Sequence, residues 1–370
     1  MADPRWAGVR NVLAVRLDSM GDVLMMTPAL RALKTAPGLE DLGVSAVVTA
    51  ARQGTSQVGS RPRPEGRGMD EAGLRHRPGG RGIGEMGAPS RPEGRGMDGA
   101  GLRHRPEDRG MSGRKVTLLT SSAGARVAGM LPDVDDVMVY DAPWMKATPS
   151  RDSADAESEI VHRLQEGRFD AAVILTTFSQ SPLPAAMLCY LSGIPLRLAH
   201  CHENTYQLLT DYVPDPEPER FVRHEVQRQL DLVSHIDCRT TDERLSMTPP
   251  PEAMARVVAL LADAEVDTSR PWVLIHPGST ASSRRYSHEG YAEAAGTLVR
   301  DHGYQVVFSG DASERPLVEA IQTRMAAPSV SLAGRTSIEE LAALIHVAPA
   351  LISNNTGPVH MAAALQTPVV

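Results

Sequence analysis

The sequence predicts an α/β protein with two domains. The chain has 370 residues, which is more than a single hydrophobic core usually serves. Short apolar runs alternate with helical patterns along most of it, as in parallel sheets covered by helices. A stretch rich in Thr and Pro interrupts the alternation at residues 242–252. We therefore expect an N-terminal domain over residues 1–245 and a C-terminal domain over residues 253–370.

The composition narrows the classes of function. The net charge of −7 gives no reason to propose binding to nucleic acid. The three cysteines lack metal-ligand spacing and indicate a reducing compartment rather than a disulfide framework. Because the sequence shows neither a signal peptide nor an apolar run of about 18 residues, we expect a cytoplasmic protein. His200-Cys201-His202 has no second ligand pair nearby, so we predict no metal site there.

The first domain begins with an apolar run at residues 11–16 that is typical of a buried strand. A polar loop with Gly21 and Asp22 follows, and a helix is predicted over residues 23–34, with Pro28 imposing a kink or a later start. Gly21 permits a tight turn, and the helix dipole favours a carboxylate at Asp22. Asp22 is therefore either a helix cap or a base that faces the cleft between the domains.

Four more strands and four helices complete the first domain. The strands are predicted at residues 116–120, 134–141, 170–177 and 195–199, and the helices at 121–131, 157–165, 184–191 and 224–233. Gln180 and His200 follow two strands, at the edge where α/β proteins bind ligands. With Asp18 and Gly21 they are candidates to line an acceptor pocket, although each alone is more typical of a structural residue. Residues 214–218 are predicted to form a rigid surface turn.

Residues 51–113 break this pattern just after a strand predicted at 44–50. The stretch 63–78 recurs as 91–106 with one difference in sixteen positions. A repeat with so few apolar residues has little to bury, so we predict a disordered Arg/Gly/Pro insertion in a loop. Residues 51–114 hold 13 arginines against 8 acidic residues, and such a basic repeat could contact RNA or anionic lipid. A duplicated insertion without a role is the simpler interpretation.

The second domain repeats a strand–helix unit. The strands are predicted at residues 272–276, 304–309, 329–332 and 350–353, and the helices at 253–264, 288–300, 315–325, 337–346 and 359–365. Residues 368–370 begin a further strand, so we expect the sheet to be incomplete at its C-terminal end.

The loop before the last helix has the character of an anion site. Asn355 or Thr356 can cap that helix, and Gly357 leaves room for a close approach. His360 adds a donor one turn into the helix. Free N–H groups and the helix dipole favour phosphate at such an end. An ordinary capped helix is the alternative that the local pattern leaves open.

A second loop, after the first strand of this domain, should face the same place. Its Ser279 and Thr280 can donate to phosphate oxygens, and Arg284 or Arg285 can neutralise charge. Because parallel strands all end at one edge, the two loops should be neighbours, with Glu314 on the same edge. Two anion-suited loops with a carboxylate between them predict a nucleotide-diphosphate pocket. The sequence has no Walker lysine motif and no GxGxxG, so ATP hydrolysis and a standard NAD site are unsupported.

Three ordered motifs closely resemble those of glycosyltransferase family 9, the heptosyltransferases of lipopolysaccharide core synthesis. They are Arg16-x-Asp18-x-x-Gly21-Asp22 with Thr27-Pro28-Ala29-Leu30, then His276-Pro277-Gly278, then Ser353-Asn354-Asn355-Thr356-Gly357-Pro358-x-His360-x-Ala362-Ala363-Ala364. The resemblance covers the chain except about residues 39–113. It implies a GT-B fold, in which two Rossmann-like, doubly wound domains face a central cleft. It also implies an inverting, metal-independent transfer from a nucleotide sugar, which is ADP-heptose in the best-known members.

The resemblance implies roles for single residues. Asp22 matches the catalytic base, which takes the proton of the acceptor hydroxyl. Arg284 matches a basic residue on the diphosphate, and Glu314 matches an acidic residue near the nucleoside. The other matches belong to the donor site: Ser279, Thr280, Asn355, Thr356, Gly357 and His360. Asn355 stands where the family typically has Asp, which is a departure close to the donor sugar.

We therefore expect an enzyme that moves a heptose-like sugar to a cell-envelope glycolipid or saccharide, as in lipopolysaccharide core biosynthesis. We expect a monomer that needs no metal or cofactor, binds no nucleic acid, and works in the cytoplasm at the inner face of the membrane. Two alternatives stay open. One is a nucleotide-sugar epimerase of the same fold, which needs no external acceptor, and the other is an inactive nucleotide-sugar-binding relic.

Overall fold

The structure is a computed structural model that describes residues 4–35, 113–146, 148–279 and 281–370. The strand predicted at residues 44–50 lies outside the described residues. So does the predicted repeat insertion, apart from its last residue, Gly113. The described residues form two separate parallel sheets, one from each of the two predicted domains. The exact boundaries predicted for those domains, 1–245 and 253–370, stay predictions.

The first sheet has six parallel strands in the order β3-β2-β1-β4-β5-β6. The strands are β1 (Asn11–Arg16), β2 (Lys115–Thr120), β3 (Asp136–Val139), β4 (Ala171–Ile174), β5 (Leu196–Cys201) and β6 (Asp211–Pro214). The strand order reverses between β1 and β4, which pair from Val12↔Ala171 to Val15↔Ile174. This is the order of a doubly wound nucleotide-binding fold, which places ligands at that reversal. No sequence pattern predicts β6, which is short, half-exposed and ends in a proline.

The second sheet repeats the same order on a smaller scale. Its strands β7 (Trp272–His276), β8 (Gln305–Phe308), β9 (Val330–Ser331) and β10 (Leu351–Ser353) are arranged as β10-β7-β8-β9. The predicted further strand begins as expected, because Val369 forms a parallel bridge to Leu351 on the free side of β10. The order reverses between β7 and β10, so the loops after those two strands are neighbours.

Helices cover both sheets. In the first half they are α1 (Pro4–Ala7), α2 (Met20–Met25), α3 (Thr27–Thr35), α4 (Ser122–Ala128), α5 (Asp155–Gly167), α6 (Leu183–Leu191) and α7 (Glu225–Ser234). In the second half they are α8 (Pro251–Asp263), α9 (His288–Arg300), α10 (Arg315–Met325), α11 (Ile338–Val347) and α12 (Gly357–Leu365). None of the helices in the described ranges has the length and apolar character needed to cross a bilayer.

Pro28 divides the predicted helix at residues 23–34 into α2 and α3, as the sequence indicates. A proline has no backbone N–H, so it cannot donate to the carbonyl of Leu24 one turn earlier. The Thr27 hydroxyl donates to that carbonyl instead, at 2.8 Å. The break leaves α2 as a short helix whose N-terminus lies at the carboxyl edge of the first sheet.

Alternation along the strands divides the core into three parts. In β1, Leu13 and Val15 belong to a cluster on the outer face of the first sheet. Val12 and Ala14 face the other way, into a large cluster that also contains Leu274 of the second sheet. The outer face of the second sheet has a third cluster, around Phe308. The shared cluster joins the two sheets through their covering helices, so the two carboxyl edges belong to one packed body.

The predicted surface turn at residues 214–218 is confirmed for Pro214 and Pro218, which are exposed, but not for the two acidic residues between them. Asp215 and Glu217 are buried there and pair with arginines of the following segment. Arg228 of α7 lies 2.7 Å from Asp215 and 2.6 Å from Glu217, and Arg223 lies 2.7 Å from Glu217. The prolines made this stretch look like a solvated turn, but the charges between them have buried partners. Burial alone would raise the pKa of Asp215 and of Glu217, yet the hydrogen bonds and charges of the arginines outweigh it and lower both.

Candidate active site

A cavity of about 890 Å³ opens at the reversal point of the first sheet. Asp18, Asp22 and Gln180, all predicted from the sequence, line it together. Other residues in its wall come from the ends of β2, β3 and β4: Ser121, Ser122, Asp141, Trp144, Lys146, Thr176 and Ser179. The wall combines hydroxyls, carboxylates and one indole ring, which suits a ligand rich in hydroxyl groups.

Arg16 is the charged centre of this edge. It ends β1, its side chain is fully buried, and it faces three carboxylates. Its Nε lies 2.7 Å from Asp18 Oδ2 and its Nη1 lies 2.7 Å from Glu225 Oε1. Its Nη2 lies 3.4 Å from Asp22 Oδ1, which is the longest of the three contacts. A buried guanidinium is tolerated only when it is paired, and here one cation holds three anions in place.

The two aspartates of the motif differ in accessibility. Asp18 is only 8% exposed, is held by Arg16, and accepts a hydrogen bond from Gln180. Burial raises the pKa of Asp18, and the charge of Arg16 opposes that rise. Asp22 is 34% exposed. It is therefore the carboxylate that a bound hydroxyl group can reach.

Asp22 also has a structural role at the start of α2. It accepts hydrogen bonds from the Ser19 hydroxyl at 2.6 Å and from the Ser19 backbone N–H at 3.2 Å, and the second of these bonds satisfies the N-cap residue as in a capping box. These bonds use Oδ2, while Oδ1 faces Arg16. Capping and base chemistry are therefore compatible, because the cap fixes the orientation of the carboxylate without burying it.

Two acceptor-side candidates lie elsewhere. His200 is buried behind the sheet, where its Nε2 lies 3.0 Å from the carbonyl oxygen of Arg228, and it does not line the cavity. Burial lowers the pKa of His200, so the ring is a neutral core residue. Gly21 provides close packing between the two halves of the protein, because a Cβ there would lie 2.7 Å from the His360 ring.

The second edge is organised by Asn354, which the sequence analysis did not select. Its side chain is buried and donates to the carbonyl oxygens of Pro277 at 2.7 Å and Gly278 at 3.3 Å. Its Oδ1 accepts from the backbone N–H of Tyr286 at 2.9 Å. The amide thus joins the loop after β7 to the loop after β10, which confirms that the two loops are neighbours.

Glu314 lies on the same edge but not between the two anion-suited loops. β7 is the middle strand of β10-β7-β8, so its loop separates Glu314, after β8, from the start of α12. The carboxylate of Glu314 lies directly against Gly278, in space that a Cβ would occupy. It also accepts from the Asp311 backbone N–H at 2.8 Å and lies 3.7 Å from His276 Nε2. The predicted order of groups is wrong, while their common edge is confirmed.

The predicted phosphate loop is partly described. Ser279 is buried and its hydroxyl donates to the carbonyl of Ala281 at 3.2 Å, while Thr280 lies outside the described residues. Arg285 donates from Nε to the carbonyl of Ser279 at 2.7 Å and so supports the loop. Arg284 is exposed and forms no ion pair with any described residue, so its charge is available to a ligand.

The start of α12 faces the start of α2. Thr356 is the N-cap residue by its backbone, but its side chain makes no capping bond, and Asn355 is exposed. The predicted side-chain cap is therefore absent. Pro358 has no N–H and the Val359 N–H donates to the Thr356 carbonyl at 3.1 Å, so the N–H of Gly357 is the first-turn donor that another acceptor can use. Gly357 packs against Met20 so closely that a Cβ there would collide with the methionine methyl group.

His360 connects the two edges. Its ring packs on Gly21, and it lines a second cavity of about 510 Å³ together with His224 and Arg244. Burial lowers the pKa of His360, the negative charge of Asp22 raises it, and the positive charge of Arg284 lowers it further. The neutral ring can therefore donate one hydrogen bond at the junction between the base candidate and the anion-suited loops.

Two of the organising residues had signals in the sequence. Arg16 is a charge at the end of an otherwise apolar strand, which indicates a buried partner. Asn354 is the first of two asparagines after a strand, and either could have turned inward.

Among the residues that the structure describes, no group of three or more His, Cys, Asp or Glu side chains is placed to hold a metal ion. Metal independence of the reaction stays a prediction.

The chain is similar in sequence to known glycosyltransferases. The model of glycosyltransferase family 9 (heptosyltransferase) matches residues 158–370. Lipopolysaccharide heptosyltransferase 2 of Escherichia coli is 30% identical over 224 residues, which are 56% of this chain and 61% of that protein. The chain thus spans about three-fifths of the length of that curated relative.

Solved structures show the same fold. A glycosyl transferase family 9 protein from Veillonella parvula superposes with a TM-score of 0.67 at 16% identity, over 100% of this chain and 81% of that one. The E. coli ADP-heptose lipopolysaccharide heptosyltransferase II superposes with a TM-score of 0.59 at 19% identity, over 97% of this chain and 83% of that one. These similarities confirm the predicted GT-B fold with its two Rossmann-like halves. Because the family model covers more than half of the chain, this protein belongs to glycosyltransferase family 9, the heptosyltransferase family.

Proposed function

We propose that this protein is an inverting glycosyltransferase that moves a heptose-like sugar from a nucleotide-diphosphate sugar to a cell-envelope acceptor, in lipopolysaccharide core biosynthesis. The observation that carries the proposal is the meeting of two helix N-termini. The start of α2 presents Asp22, and the start of α12 presents the N–H of Gly357 and the ring of His360. A base and an anion site thus face each other across the junction of the two halves.

The reaction needs one proton acceptor and one stabilised leaving group. Asp22 removes the proton from the acceptor hydroxyl as its oxygen attacks the anomeric carbon. The new carbon–oxygen bond forms opposite the bond to the diphosphate, which breaks and leaves a nucleoside diphosphate. The developing negative charge is stabilised by the N-terminus of α12, by His360 and by Arg284, without a metal ion.

We propose ADP-heptose as the donor, as in the name of the solved E. coli heptosyltransferase II. The nucleotide would lie along the carboxyl edge of the second sheet, with its phosphates at Ser279 and Thr280 and a ribose hydroxyl near Glu314. The carboxylate of Glu314 fills the space beside Gly278, so the phosphates would approach this loop from another side, away from that negative charge. Asn355, which is exposed at the start of α12, would face the sugar.

We propose that the acceptor is a glycolipid at the inner face of the membrane. Its saccharide would enter the cavity of about 890 Å³, where Trp144 offers a surface for a sugar ring. Pro184 of α6 lines that cavity, and Met187 and Leu191 continue along the same helical face, 42% and 54% exposed. This apolar stripe leads away from the cavity, where the lipid end of an acceptor would lie. The protein would act as a monomer in the cytoplasm.

The donor site is tested by calorimetric titration with ADP, UDP and GDP, with and without Mg²⁺. We expect ADP to bind without Mg²⁺, and Arg284→Ala to weaken it about 10- to 100-fold, since a hydrogen bond to a charged group contributes about 1.5–3 kcal/mol. Arg324→Ala is the matched control, because Arg324 is an exposed arginine in the last turn of α10. Equal affinity of wild type and Arg284→Ala, or no binding of any nucleotide, would refute the proposed site.

Turnover separates the transferase from the two alternatives. A transferase releases ADP from ADP-heptose only when an acceptor is present, so the rate should rise with added heptose-deficient glycolipid. An epimerase would convert the donor without an acceptor. A relic would bind ADP and turn over nothing.

A further inference from the structure

Glu225 lies outside the catalytic motif but is tied to it. It is in the first turn of α7, 209 positions after Arg16, and its Oε1 accepts from Arg16 Nη1 at 2.7 Å. Like Arg16, it is not among the described residues that line the cavity. It contacts the motif through the Arg16 guanidinium, and its charge also acts on Asp18 across space.

Glu225 is held in place by its own helix. Gln229, one helical turn later, donates to its Oε1 at 2.7 Å. The same Gln229 amide donates to the carbonyl of Thr176 at 3.0 Å, and Arg228 donates to that carbonyl at 2.9 Å. Thr176 follows β4, on the cavity wall. The position of Arg16 is thus fixed by α7 and by the end of β4, and not only by its own strand.

The charges around Arg16 explain why a third carboxylate is needed. Asp18 is nearly buried and already accepts from Gln180. If Arg16 faced only Asp18 and Asp22, more of its charge would act on Asp22, and a carboxylate held by a strong cation is a weak base. Glu225 shares the guanidinium, and the contact with Asp22 is the longest of the three at 3.4 Å.

We propose that Glu225, acting through Arg16, is a positioning residue that holds Asp22 in the orientation and charge state of a base. The inference rests on the proposed function, in which Asp22 takes the acceptor proton. A purely structural role would be to anchor α7 to the sheet. The two roles differ in one respect: only the positioning role changes the protonation behaviour of Asp22.

The test is Glu225→Gln, which keeps the shape of the side chain and removes its charge. We expect the acid limb of the rate of ADP release from ADP-heptose to move to lower pH, because the unshared charge of Arg16 favours the ionised carboxylate of Asp22. His360, the other titratable group facing Asp22, is the same in both proteins. The plateau rate should fall about tenfold, since the base is weaker. Glu225→Asp keeps the charge but shortens the reach, so it should lower the rate while leaving the acid limb in place.

Glu217→Gln is the matched control. Glu217 also pairs with an arginine, Arg228 of α7, at 2.6 Å, and it is buried more deeply than Glu225, but it contacts neither Arg16 nor Asp22. This variant should lose at least as much stability as Glu225→Gln, measured by urea unfolding, without any movement of the acid limb. If Glu225→Gln leaves the acid limb at its wild-type position, the proposal is overturned.

A second measurement does not depend on turnover. The Asp22 carboxyl carbon is observed by NMR in protein labelled with ¹³C-aspartate and assigned by its absence in Asp22→Asn. We expect it to titrate at lower pH in Glu225→Gln than in wild type, and equal titration would refute the proposal. If wild type releases no ADP from the donor, the proposed function fails, whereas this titration still decides the role of Glu225.

Discussion

At the carboxyl edge of the first sheet, one buried guanidinium faces three carboxylates. At the matching edge of the second sheet, the buried organising group is the neutral amide of Asn354, which joins two loops through their backbone. The two edges have the same topology, because in both sheets the strand order reverses beside the first strand. Their chemistry is nevertheless complementary: the first edge presents a proton acceptor, and the second presents hydrogen-bond donors and a free cation.

The sheet topology and the buried side chains determine different properties of the two edges. The doubly wound topology decides where a ligand binds, since both reversal points lie where polar loops converge. The buried side chain decides what the site can do, because it fixes the groups that face the ligand. His360 joins the two edges, because its ring packs on Gly21 of the first half and its helix belongs to the second half. Removing a group from one edge should therefore impair one function and spare the other.

The largest effect is expected for Asp22→Asn. The amide cannot accept a proton from the acceptor, so kcat for ADP release should fall about 10²- to 10⁴-fold. The Kd for ADP, measured by calorimetry, should stay within about twofold of wild type, because the nucleotide binds at the other edge.

Asp141→Asn is the control for this variant, since Asp141 is another carboxylate of the same cavity wall, bonded to Ser122. It should change kcat far less than Asp22→Asn does. Unchanged turnover in Asp22→Asn would leave Asp22 as a helix cap only. A joint loss of turnover and ADP binding would show that the two edges are not independent.

The next effect is expected for Asn354→Ala, which removes the clamp from the second edge. Three backbone groups would lose their partner inside the protein, so the free energy of unfolding should fall by about 2–4 kcal/mol. ADP should also bind more weakly, because the loop after β7 is no longer held against α12. Urea unfolding and calorimetry measure the two losses.

Asn355→Ala is the matched control, with the same residue type one position away. Asn355 is exposed, so its loss should change the unfolding free energy by less than about 0.5 kcal/mol. Equal destabilisation by the two variants would contradict the clamp. If Asn354→Ala lost stability but kept full ADP affinity, the clamp would support the fold and not the site.

The neighbouring asparagines also show what a sequence can and cannot predict here. The strands at 11–16 and 272–276 are found where the sequence predicts them, because continuous apolar runs in α/β proteins have few other interpretations. Whether Asn354 or Asn355 turns inward depends on Pro277 and Gly278, which are distant in sequence. Local pattern favours both equally, and only the folded loop after β7 selects one.

The same limit applies to the charged residues of the first edge. The sequence predicts that Asp22 and Gln180 lie at one cavity, because strand ends converge in a parallel sheet. It also favours His200 on the same argument, but that side chain turns inward toward Arg228. The pairing of Arg16 with Glu225 joins residues 209 positions apart, and the buried ion pairs of residues 214–218 depend on the packing of α7. Side-chain direction and long-range pairing are settled by tertiary packing, which no local spacing encodes.

The smallest effect is expected for His360→Gln, which changes the residue between the two edges. In an unfolded chain, histidine has a pKa of about 6.5, and burial lowers the pKa of His360 below that value, with Asp22 opposing and Arg284 and His224 adding to the shift. Between the two pKa values the unfolded chain binds a proton that the folded protein does not, so stability should fall as the pH drops through this range. Between pH 7.5 and pH 5.5, wild type should therefore lose more unfolding free energy than His360→Gln does. The difference between the two losses should be smaller than the loss expected for Asn354→Ala. His202→Gln is the control, because that ring is 51% exposed, and it should follow the wild-type curve. Urea unfolding at both pH values measures the difference, and parallel curves for wild type and His360→Gln would show that the junction between the edges does not resist protonation.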